Sequence, residues 1–181
     1  PEPIGMTWCS SRKEAIPVID KDHARAFGRV LVQVSNGRIV PMNTLSSEVL
    51  RKMARSESYK GQDPDQVMLG MLVYPEFWQQ VPVIRISHPG IREILNIRSG
   101  YASFDDFFAH DGEYLLKTYV GEAYRKQPAD RKKFDNEVIR TDERLNICYL
   151  IFTREILTVF PGGDTVTHKW YSPATPPGCG A

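Results

Sequence analysis

The sequence predicts an α+β fold that is predominantly helical and carries a small antiparallel sheet built on an N-terminal β-hairpin. Three observations predict it. A β-rich run from Phe27 to Val34 meets the turn Ser35-Asn36-Gly37-Arg38 and returns through Ile39 and Val40. Asn-Gly is a strong hairpin dipeptide because both residues tolerate φ > 0. Asp63-Pro64-Asp65-Gln66 has the form of a helix start: a capping Asp, a Pro at the first helical position, and a Gln where a capping box places its second member. The long stretch 128–153 repeats Phe134, Val138, Leu145, Tyr149 and Phe152 close to one helical face.

Residues 1–25 read as an N-terminal arm, with little periodicity, three prolines and at most a short strand at 16–19. A single globular domain is expected over 26–171. Pro41 ends the hairpin by removing a ladder donor. Asn43 or Thr44 then caps a helix to about Ser56, with Leu45, Val49 and Met53 on one face. The helix opened by Asp63 turns Val67, Met68, Met71 and Leu72 inward, and Pro75 ends it or opens a short turn through Trp78. Alternation in Val83-Ile84-Arg85-Ile86 makes 81–87 a third strand. His88-Pro89-Gly90 introduces a short helix over 91–96, and Ser103 caps another with Asp105 and Asp106 in its first turn. A helix over 112–126 aligns Leu115, Tyr119 and Ala123, with Leu116 and Val120 beside them. After the long helix, 157–160 is a final strand suited to pair with the hairpin. Residues 172–181, rich in Pro and Gly, read as a flexible tail.

The balance of 23 basic and 22 acidic residues leaves a net charge of +1. A nucleic-acid footprint needs a clustered basic excess, so no nucleic-acid partner is expected. The run Arg131-Lys132-Lys133 is followed by Asp135 and Glu137 and reads as a solvated helix face. No signal peptide is visible, and the longest apolar run, 147–152, is too short to span a bilayer. By itself this reads as a soluble protein. The cysteines are Cys9, Cys148 and Cys179, with no CxxC or CxxCH spacing. Cys148 reads as a small buried hydrophobe. A Cys9–Cys179 bond requires the two ends to meet, which the sequence leaves open.

No catalytic or metal site is written in the spacing. Asp105, Asp106 and Asp111 lack the alternation and terminal Glu of an EF-hand. There is no Gly-x-Ser-x-Gly elbow and no phosphate-cradling glycine loop. The carboxylates Asp135, Glu137, Asp142 and Glu143 share one helix with Arg140 and Arg144, which is the pattern of a structural ion-pair network. A buried Arg144 or Asn146 would tie this helix to the hairpin. Of Phe77, Trp78, Phe104, Phe107 and Phe108, most are expected in the core. Adjacent Phe107 and Phe108 leave one of them partly exposed, and an exposed aromatic patch marks a partner surface.

The hairpin-to-helix segment 27–53 also resembles a stretch of System II cytochrome c biogenesis proteins, the fused ResB/CcsB–CcsA type. Three further segments are similar to the same family: 63–72, 75–82 and 133–146. Together they extend from about Ala26 to Pro161. The resemblance implies a membrane-embedded system that carries haem outward and attaches it to apocytochrome c. This chain is then one of its extracytoplasmic pieces, periplasmic, with the transmembrane portion of the same protein and apocytochrome c as partners. The family's haem-handling histidines and tryptophan-rich loop lie in the membrane-spanning portion. None of His23, His88, His110 and His168 matches those motifs, so the resemblance implies no haem ligand here, and haem is left to the full-length protein. The implied role is non-catalytic: docking apocytochrome or shaping the haem exit chamber. The rivals from other classes are a free-standing periplasmic hydrolase using the carboxylates of the long helix, and a purely structural spacer.

Overall fold

The computed structural model describes residues 17–162 and 168–175. Its architecture is α+β, mostly helical. Among the described residues there are seven α-helices, and the antiparallel pairing is divided among three two-stranded ribbons, the first of them the predicted hairpin.

The chain enters through α1 (Lys21–Phe27), where an arm and then the start of a strand were expected. The Asp20 carboxylate accepts from the amides of Asp22 and His23 and so caps a helix whose buried residue is Ala24. Residues 17–19 form no strand. Strands β1 (Leu31–Gln33) and β2 (Ile39–Pro41) pair with Val32 opposite Val40. In the turn only Gly37 takes a positive φ, +81°, while the Asn36 side chain accepts from the Arg38 amide. The loop is therefore five residues long and not the two-residue Asn-Gly turn.

Helix α2 (Met42–Ala54) starts one residue before the predicted caps. Neither Asn43 nor Thr44 caps it. The Met42 and Asn43 amides instead donate to the carbonyls of Val30 and Gly28, so the hairpin supplies the acceptors that an N-cap side chain would. Helix α3 (Pro64–Val73) carries the predicted capping box, Asp63 with Gln66, in both directions. Gln66 also reaches back to donate to the carbonyl of Ile19. Helix α4 (Pro75–Trp78) lays the Trp78 indole over Gly70, where a Cβ would stand 2.9 Å from the ring nitrogen.

Strand β3 (Ile84–Arg85) pairs with β4 (Tyr101–Ala102), with α5 (Pro89–Ile94) between them. Residues 105–107 form one 3-10 turn, at whose start Ser103 and Asp106 bond reciprocally. The predicted 112–126 helix is shorter: α6 is Lys117–Arg125. Residues 108–114 are drawn into a tight antiparallel bridge of Phe108 with Tyr114, with Gly112 at φ +83°. Helix α7 (Lys133–Phe152) begins later than the predicted 128, because 128–130 form a separate 3-10 turn. Its inward face is Val138, Thr141, Leu145, Cys148 and Ile151, while Tyr149 is 48 % exposed and leaves the predicted stripe. Positions 138, 141, 145 and 148 keep a continuous 3-4-3 spacing, and Tyr149 lies about 100° off that line.

The main core gathers α2, α3, α5 and α7 with β3 and β4 around Met53, Met71, Trp78 and Ile84. A smaller cluster of Val32, Val40 and Met42 lies under the hairpin, bridged to the first by Phe27, Leu45 and Leu157.

Candidate functional site

A cleft of about 710 Å³ opens where α2, the end of α7 and the hairpin turn converge. Its apolar surface comes from Leu45 and Val49 of α2, Ile147 and Leu150 of α7, and Ile156. Glu48, Lys52 and Lys169 are exposed charges at its edge, and Trp170 closes one end.

The sequence builds this cleft through a change of direction after α7. Thr153 ends the helix, Arg154 takes a φ of +63°, and the Ile156 amide donates to the carbonyl of Leu150. The extended stretch that follows runs beside β1. The Gln33 amide donates to the Thr158 carbonyl, and the Thr158 hydroxyl donates to the Gln33 carbonyl. The expected pairing of 157–160 with the hairpin thus occurs at Thr158. The named strand one step later, β5 (Phe160–Pro161), pairs with β6 (Trp170–Tyr171) instead.

Gln33 then holds that ribbon in place. Its side-chain amide donates to the carbonyls of His168 (2.9 Å) and Gly37 (3.3 Å), and its carbonyl oxygen accepts from the Trp170 amide at 2.8 Å. One glutamine thus joins the hairpin turn, the cleft wall and the last ribbon. Sequence reasoning missed it, because its partners lie 135 and 137 residues downstream.

The four histidines are not brought together. His23 stands exposed on α1, and His110 is exposed in the turn before Gly112. His168 is exposed and contributes its backbone carbonyl to Gln33. His88 caps α5, its Nδ1 accepting from the Gly90 amide, and its ring meets Phe134 edge-on at 5.2 Å. Among the described residues no group of three His, Cys, Asp or Glu side chains is placed to hold a metal ion. Cys148 is fully buried against the Met53 sulfur, and burial pushes its thiol up to about 12. At neutral pH it is not a thiolate nucleophile. Cys9 and Cys179, and with them the question of their pairing, lie outside the described residues.

The carboxylates of α7 are each held by a separate partner. Asp135 accepts from Lys126 at 2.6 Å and from the Lys132 amide at 2.8 Å, which together hold its carboxyl below the usual range. Asp142 accepts from the Tyr114 hydroxyl at 2.9 Å; burial, followed by the Asp142 charge, raises that phenol well above its ordinary value. Glu143 sits 3.7 Å from Lys52. Glu137 is buried with Arg144, Oε1 to Nη1 at 3.1 Å, and Arg140 approaches its other oxygen at 3.6 Å.

Arg144 does tie the long helix to other elements, but not to the hairpin. Its Nε donates to the Lys52 carbonyl at the end of α2, and Nη1 to the Arg85 carbonyl of β3. Asn146, the other candidate, is exposed. Among the aromatics, Trp78 and Phe107 are fully buried, Phe77 and Phe104 are half-buried, and Phe108 is 36 % exposed beside Phe104 and Tyr114. Asp105 is pushed upward, first by partial burial and then by the neighbouring Asp106 charge, while Asp111 bonds the Glu113 amide. No described helix is long and apolar enough to cross a membrane.

No protein-family model matches the chain. It is similar to Protein NrfI of Wolinella succinogenes, with 36 % identity over 148 residues. That match covers 81 % of this chain but 16 % of the relative, so the chain corresponds to about one sixth of a much longer protein.

Proposed function

We propose that this chain is an extracytoplasmic module of a membrane-embedded System II cytochrome c biogenesis protein, and that the Leu45–Leu150 cleft docks an extended segment of apocytochrome c. The observation that carries the reading is the 148-residue similarity to Protein NrfI, together with the four family-like segments that fall in order along the same stretch. In this reading the module works on the periplasmic side of the inner membrane. It contacts the transmembrane portion of its own protein and is itself non-catalytic. Haem handling and thioether formation belong to the remainder of the full-length protein. The chemistry of the cleft suits a peptide. A half-buried apolar floor takes alternate side chains, and exposed charges of both signs flank it.

The test is made in the full-length protein. Leu150→Asp and Trp170→Ala are expected to lower the yield of haem-attached cytochrome c by about tenfold, the loss of one interface anchor. Protein level and helical content should stay at the parental value. Parental cytochrome yield from both folded variants would remove the cleft from the function. Reporter fusions to the module that are active only in the cytoplasm would remove the localisation.

A further inference from the structure

On the face next to the cleft, α2 and α7 bring two pairs of arginines together. Arg51 and Arg55 are four residues apart on the last turn and cap of α2; Arg140 and Arg144 are four apart on α7. With Lys52 and Glu143 they line a recess of about 290 Å³. Like charges at this spacing repel within each helix, and the fold then places the two pairs opposite each other. Three carboxylates answer five cations: Glu143 near Lys52, Glu57 near Arg51, and Glu137 shared by Arg140 and Arg144. The local excess is two positive charges in a chain whose total is +1.

The four guanidiniums are not equivalent. Arg144 is 4 % exposed and fixed by Glu137 and by the Lys52 and Arg85 carbonyls. It is the rigid floor. Arg51 and Arg140 are more than half exposed; Arg51 donates to Glu57 at 3.2 Å, and Arg140 approaches Glu137 at 3.6 Å. Arg55, at a left-handed φ of +55°, ends α2 at the lip of the recess. A second recess, lined by His88, Lys133, Asn136 and Glu137, shares Arg140.

We propose that this recess binds a phosphate-type oxyanion, held by Arg51, Arg55 and Arg140 above Arg144. A single guanidinium fork satisfies a planar carboxylate. Three exposed guanidiniums lining one recess from two helices match the three or more oxygens of a phosphate better. Bound anion also relieves the arginine repulsion, so occupancy and fold stability rise together. The phosphate has two sources of the same chemistry, free phosphate compounds and the headgroup of an anionic phospholipid.

The experiment titrates the folded chain with inorganic pyrophosphate, with succinate, and with vesicles of phosphatidylglycerol in phosphatidylcholine, following melting temperature and vesicle co-sedimentation. Pyrophosphate is expected to raise the melting temperature saturably, and Arg51→Ala/Arg140→Ala to weaken its binding at least about tenfold. Lys21→Ala/Lys117→Ala, remote exposed cations, should leave it unchanged. Sedimentation with the vesicles that is lost in the arginine pair identifies the lipid source; saturation by pyrophosphate without sedimentation identifies the free one. Succinate binding as tightly as pyrophosphate overturns the phosphate assignment. No saturable effect of either phosphate probe, or equal weakening by the lysine pair, overturns the site.

Discussion

Around Met53, Met71 and Trp78 the chain excludes water with side chains drawn from most of its helices, whereas under the hairpin three buried side chains, Val32, Val40 and Met42, do so with partly buried neighbours such as Val34 and Val159. The first region is held by apolar area and by one buried ionic knot, Glu137 with Arg144. The second is held by backbone and amide hydrogen bonds: Met42 and Asn43 to the carbonyls of Val30 and Gly28 ahead of β1, Thr158 to β1, and Gln33 to the last ribbon. Apolar burial is worth roughly 25 cal/mol per Å², and a single net hydrogen bond about 1 kcal/mol. The helical region therefore sets global stability, and the hairpin region opens at lower cost. The candidate cleft lies along the seam between the two.

Five measurements sharpen or break this comparison. Val138→Asp places a charge at a fully buried position with no partner; it is expected to cost about 4 kcal/mol or more in denaturant unfolding and to remove both regions together. Loss of only the hairpin signals would show that α7 is not central. Arg144→Ala leaves Glu137 buried and two carbonyls unpaired, for about 3 kcal/mol, again with a single cooperative transition. Gly37→Val forces a β-branched residue to φ +81° and is expected to cost about 2 kcal/mol. Amide exchange should accelerate in β1 and β2 and stay unchanged in α7. Gln33→Ala frees the Trp170 amide and the His168 carbonyl, for about 1 kcal/mol. Its readout is Trp170 fluorescence and faster exchange in 160–162 and 168–171. Equal acceleration in α7 would mean that the two regions are one.

The smallest effect concerns pH. The Asp135 carboxyl is held low by Lys126 and the Lys132 amide. A depressed folded value adds stability above the unfolded value, about 3.9. That stability is lost as pH falls through the folded value. Lys126→Ala is thus expected to lower the neutral plateau slightly and so flatten the acid limb, the variant and parental curves converging as pH falls below about 4. An unchanged acid limb would remove Asp135 from that titration.

What was legible in the sequence was what is decided locally. The capping box of Asp63 and Gln66 needs only residues three apart, and it formed as read. The apolar face of α7 was legible in its period, while Tyr149 shows how one position separates core from solvent. The start of α2 was not legible, because Gly28 and Val30 supply its acceptors from the far side of a hairpin. Helix α1 was missed because its Asp20 cap is followed by only seven helical residues, too few to display a period. The cleft was illegible for a stronger reason. Its wall depends on Gln33 meeting His168 and Trp170, and no local rule links positions so far apart. The anchoring of α7 by Arg144 was half legible: burial was foreseen, but its carbonyl partners on α2 and β3 were not.

That long-range glutamine contact also sets a timetable. Closing a loop of some 135 residues in an otherwise unfolded chain costs about 4 kcal/mol of chain entropy on logarithmic scaling. After α2 and α7 have packed, only the short stretch beyond Thr153 remains to be placed, so the same contact forms cheaply as a late docking step. Synthesis runs in the same direction, with residues 21–54 emerging long before 158–171. Until Thr158 arrives, β1 carries an unpaired edge flanked by the exposed side chains Val30, Leu31 and Ile39. An open apolar edge is a template for pairing with other chains. A nascent chain halted between residues 100 and 157 is therefore expected to leave that edge open.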